Sequence, residues 1–63
     1  MTIIGWKAGV NSQKAIQSIN KNTTFTLLEA KKLVEKAING EPVVLPDDFV
    51  LREELEEYRF IVR

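Results

Sequence analysis

The stretch Thr26–Ile38, TLLEAKKLVEKAI, constrains this chain more than any other. Thr26 followed three residues later by Glu29 is a capping box: the threonine oxygen takes an orphan amide of the first turn, and the glutamate reaches back to the cap. Phe25 stands just before the cap, where it closes over Ala30 as a hydrophobic staple. Leu27, Ala30, Val34 and Ile38 fall on or beside one stripe at helical spacing, and Leu33 and Ala37 widen it. Lys31, Lys32, Glu35 and Lys36 take the outer face, which at its simplest is a solvated one. Asn39-Gly40 supplies the stop, because glycine enters the left-handed conformation without a side-chain penalty.

The other segments must give that helix a surface to lie on. Thr2–Lys7 is short, apolar and β-branched at its start, so Ile3, Ile4 and Trp6 read as part of a first strand. Ala8-Gly9-Val10-Asn11 reads as a turn, with Asn11 or Ser12 the N-cap of a first helix over about Ser12–Lys21. Ala15, Ile16 and Ile19 give it a narrow apolar stripe, and Lys14, Gln17, Asn20 and Lys21 point outward. Asn22-Thr23-Thr24 joins the two helices as an αα-hairpin.

After Gly40, Glu41–Leu45 is a short extended segment whose Pro42 suits an edge or a strand entry. Pro46-Asp47-Asp48 opens a third helix, with the proline in the first turn and the acids complementing the helix N-terminus. Val50, Leu51, Leu55 and Tyr58 form its inner face, Phe49 sits at its entry, and Arg52 and Glu56 make an i, i+4 pair outside. Arg59–Arg63 reads as a last strand with Phe60 and Val62 on one face. The order β-α-α-β-α-β predicts one α+β domain, a two-layer sandwich in which three helices cover a three-stranded antiparallel sheet.

A chain of 63 residues hides only about 60% of its unfolded surface, which leaves room for a core and little for a deep active site. There is no cysteine and no histidine, so disulfides, thiolate or imidazole metal sites and histidine base catalysis are excluded. No base stands beside a nucleophile, and no glycine-rich loop cradles a phosphate. The expectation is a non-enzyme with no catalytic residue, metal or cofactor, in which Glu53, Glu54, Glu56 and Glu57 are the wet face of the third helix. No apolar run approaches a membrane span and the N-terminus lacks a signal-peptide pattern, so a cytoplasmic protein with no membrane partner is expected.

The formal net charge is zero. Residues 1–38 nevertheless carry six lysines against Glu29 and Glu35, and residues 39–63 carry seven acids against three arginines. The halves therefore balance at +4 and −4. Such a chain presents a basic face to an acidic partner while staying neutral overall. Nucleic acid is a poor fit, since net positive charge is lacking and Trp6 and Tyr58 are too far apart in sequence to suggest a stacking platform. In so small a domain Trp6 reads first as core filler, and otherwise as an exposed anchor.

These residues resemble the C-terminal domain of the acidic stalk protein of the bacterial large ribosomal subunit. The likeness runs without a gap from about Thr2 to Glu35, through Ala8-Gly9, Asn11, Ile16, Leu27, Glu29-Ala30-Lys31 and Leu33-Val34-Glu35. It resumes at Asp47-Asp48, Leu51, Leu55 and Glu56-Glu57. The resemblance implies three strands and three helices in one sandwich, and a surface on the first two helices that recruits translational GTPases to the ribosome. Here that surface spans Ser12, Gln13, Ile16 and the Thr24–Thr26 turn, and its partner-binding set is Lys14, Gln17, Asn20, Lys21, Phe25 and Lys31.

Departures from the family pattern fall on the same surface. Ser12, Gln17 and Asn20 stand where the family places Lys or Arg, Thr26 where it has glycine and Leu28 where it usually has lysine. Lys31 keeps its charge, and Lys14 and Lys21 add new ones nearby. The family's anchoring region and hinge have no counterpart in these residues, so the expectation is a free-standing version of the domain, of the kind a phage or mobile element borrows from its host. Its partner is then a protein: a translational GTPase, the ribosome or an unrelated host protein. The alternative is an adaptor of the Clp protease, which shares the general fold, although the acidic substrate-binding wording of that adaptor is missing.

Overall fold

A computed structural model describes residues 1–63. Strand β1 (Thr2–Trp6) is followed by helices α1 (Ser12–Asn22) and α2 (Leu27–Ile38), strand β2 (Val43–Val44), helix α3 (Phe49–Glu57) and strand β3 (Phe60–Val62). The expected β-α-α-β-α-β order and α+β class are both observed. The sheet runs β2-β1-β3, with β1 antiparallel to both neighbours; α2 and α3 pack on the strands, and α1 packs on those two helices.

Local signals set the element ends. Asn11, the first of the two candidate caps, accepts at Oδ1 from the Lys14 amide (3.1 Å). The capping box of α2 forms in both directions: the Glu29 amide donates to Thr26 Oγ1 (3.2 Å) and the Thr26 amide to Glu29 Oε1 (2.9 Å). Gly40 ends α2 at φ 87°, where any β-carbon would be strained. Asp48 caps α3 through the Leu51 amide (2.8 Å). Pro46 therefore stands two residues before the cap, in the extended lead and not in the helix. Nearby, the Met1 ammonium donates to the Leu45 carbonyl (2.9 Å) and pairs with Asp47, fastening the start of β1 to the end of β2.

The core joins Ile3, Val43 and Phe60 of the strands to Ala15 and Ile19 of α1, Ala30, Val34 and Ala37 of α2, and Leu51 and Leu55 of α3. Each fully buried Ile or Leu stabilises the fold by about 1.5–3 kcal/mol. Alanines on the facing stripes of α1 and α2 let the two helices approach closely.

Three inward assignments and one surface ion pair are corrected. Leu27, the first residue of α2, is 56% exposed. Val50 is 51% exposed; it lies about 100° round the helix from Leu51, on the side of Glu53 and Glu57. Trp6 is not core filler but 43% exposed: it pairs with Phe60 at the end of β1, where Phe60 already fills the interior. Arg52 and Glu56 form no ion pair, in keeping with the small return on ordering two long side chains in water.

Candidate functional site

Helix α1 lies between α2 and α3 and contacts no strand, so it has two flanks. The flank toward α3 is a polar seam built on one carboxylate. Ser18, Lys21 and Asn22, at i, i+3 and i+4 of α1, share a side of the helix and all reach Glu54 of α3. The Ser18 hydroxyl donates to Oε1 (2.6 Å), the Lys21 ammonium to Oε2 (3.0 Å), and the Asn22 amide to Oε1 (2.9 Å). The Ser18 hydrogen bond, then that of Lys21, holds the Glu54 carboxyl below its ordinary range; burial works against them more weakly. Beside this hub the Lys14 ammonium sits 5.9 Å from the centroid of the Tyr58 ring, a cation–π distance. Gln17 completes a small cleft of about 190 Å³.

The flank toward α2 is open. Ile16, Val34 and Ile38 floor a groove of about 570 Å³. Ser12 and Gln13 form its α1 rim, and Lys31, Glu35 and Asn39 its α2 rim. Ile16 and Ile38 are half-buried, so apolar surface remains within reach of a partner. At the end formed by Ile38 and Asn39, the Trp6 indole N–H donates to the Ile38 carbonyl (3.0 Å) and holds the ring against the last turn of α2. At the other end of the same helix Leu27 and Leu28 are both more than half exposed.

The six sequence-predicted site residues do not share one surface. Lys14, Gln17 and Lys21 line the α3 seam, and only Lys31 reaches the α2 groove. Asn20 braces the hairpin by donating to the Phe25 carbonyl (2.9 Å), and Phe25 is half-buried against the core. Glu54 departs from the expected solvated run, since Glu53, Glu56 and Glu57 are exposed while Glu54 turns to α1. Sequence reasoning missed it for an identifiable reason: Ser18 stands beside Ile19 on the inner side of α1, and a buried serine there calls for an acceptor on the facing helix.

No group of three or more Asp or Glu side chains is placed to hold a metal ion, and no helix is long and apolar enough to cross a membrane. Comparison with family models found none that matches this chain, and comparison with curated proteins and with solved structures found no match either.

Proposed function

We propose that this chain is a non-catalytic protein-interaction module, similar to the C-terminal domain of the bacterial ribosomal stalk, that engages a translational GTPase through the groove between α1 and α2. The observation that carries the reading is the groove itself: an apolar floor of Ile16, Val34 and Ile38 beside the uncommitted Lys31. Apolar floor and charged rim are the division of labour by which interfaces combine burial with orientation. The observed β-α-α-β-α-β order and antiparallel sheet suit the resemblance, which places its working surface on the first two helices.

The seam side narrows that reading. Lys14 and Lys21 face Tyr58 and Glu54 and so are committed within the molecule. Charge attraction to a factor then rests on Lys31, with apolar contact from Leu27, Leu28 and Ile16 making up for basic residues that the family carries and this chain lacks. Titration of the isotope-labelled protein with a purified translational GTPase tests this. Amide shifts confined to Ser12–Ile16 and Leu27–Asn39 are expected; no shift at saturating factor, or shifts confined to α3, would overturn it.

A further inference from the structure

We propose that β3 is the pairing edge of a symmetric dimer, in which a second copy of this chain adds its own β3 in antiparallel register about Ile61. The two free edges of the sheet differ in a way that permits this on one side only. At the β2 edge, Met1 and Leu45 exchange backbone hydrogen bonds (2.9 and 2.8 Å). Antiparallel ladders alternate inward and outward bonding, so the outward positions are Pro42, Val44 and Pro46. Prolines at two of these three positions remove the donors and close that edge.

At the β3 edge, Thr2 and Arg63 exchange two backbone bonds of 2.8 Å, and the Lys7 amide donates to the Arg59 carbonyl (2.8 Å). The same alternation turns the N–H and C=O groups of Phe60 and Val62 outward. No proline interrupts them, and β3 packs only on β1 and α3. Ile61 pairs with Gly5 on the sheet face away from the helices and is 38% exposed.

A two-fold axis through Ile61 sets Phe60 opposite Val62 of the second copy, and Val62 opposite its Phe60. That register makes about four backbone hydrogen bonds and lays one Ile61 on the other. It also sets Arg63 of each copy opposite Arg59 of the other. The potential clash of Arg63 with Arg59 is avoided, because Arg59 at φ 75° directs its side chain toward Gly9, 3.9 Å from where a β-carbon there would lie. With the β2 edge closed, pairing ends at two copies and gives a six-stranded sheet, not a fibre. Both α1–α2 grooves stay open, and the dimer stands whether or not those grooves bind a GTPase.

Sedimentation equilibrium at about 1 mM, where a dissociation constant as weak as ~1 mM is still read, should give a mass well above the 7.2 kDa monomer and approaching twice it with concentration. Ile61→Glu sets two carboxylates face to face and should return the protein to a monomer with unchanged far-ultraviolet dichroism. Val44→Glu, on the closed edge, should leave the dimer intact. In the unaltered protein, exchange of the Phe60 and Val62 amides should slow as concentration rises, a readout that needs no variant to fold. A monomer at that concentration, a dimer that survives Ile61→Glu in folded form, or concentration-independent exchange of both amides would overturn the proposal.

Discussion

The two flanks of α1 carry similar residue types and end in opposite states. Toward α3, Lys14, Gln17, Ser18 and Lys21 meet a carboxylate and an aromatic ring, and the polar groups satisfy one another. Toward α2, Ser12, Gln13 and Lys31 rim a groove whose apolar floor stays open. A lysine on a helix surface is therefore not a partner contact by virtue of its charge. What lies across from it decides, and Glu54 converts one flank into structure while the other remains available.

The largest expected effect breaks both flanks together. Leu55 of α3 lies fully buried in the core, and Leu55→Ala should cost about 2–5 kcal/mol in urea unfolding. A loss below about 1 kcal/mol would contradict the packing described. Glu54→Ala comes next and separates the flanks: it strands the buried Ser18 hydroxyl and should cost about 1–3 kcal/mol, with partner affinity of the folded protein unchanged. Thr26→Ala removes one half of the capping box on the open side and should cost about 1 kcal/mol.

The seam should also be visible in the pH dependence of stability. Glu54 titrates below its ordinary value of 4.5 when folded. Its contribution is thus complete above the ordinary value and is lost as pH falls through the lower folded value. Asp47, lowered by its hydrogen bond to the Met1 ammonium, adds a fall of the same sign. Glu54→Gln should make the acid fall shallower without abolishing it, as followed by unfolding midpoints from about pH 6 to pH 2. An unchanged slope would remove Glu54 from the seam. Smallest of all, Lys31→Glu should leave stability within about 0.5 kcal/mol, since its side chain carries no ion pair within the domain.

Much of the fold was legible because its signals are local. The Thr26/Glu29 box, the Asn11 oxygen and the Gly40 stop each act within one turn of chain, and the first two helices begin and end by them. Burial was less legible, because it depends on which element lies opposite. Leu27 and Val50 match an apolar periodicity yet stay more than half exposed, and Trp6 yields the interior to Phe60 across the sheet. The site was least legible. Helical spacing places Lys14 and Lys31 on α1 and α2, but that they belong to different flanks follows from the position of α3, which joins Tyr58 and Glu54 to α1 across more than 30 residues of sequence.

The most direct test is calorimetric binding of a purified translational GTPase to the unaltered protein, Lys31→Glu and Lys21→Ala under identical salt. If the open flank is the working surface, Lys31→Glu weakens binding about tenfold or more and Lys21→Ala changes it less than about twofold, both variants remaining folded. Equal losses in the two variants, or a larger loss from Lys21→Ala, would contradict the division of labour between the flanks of α1.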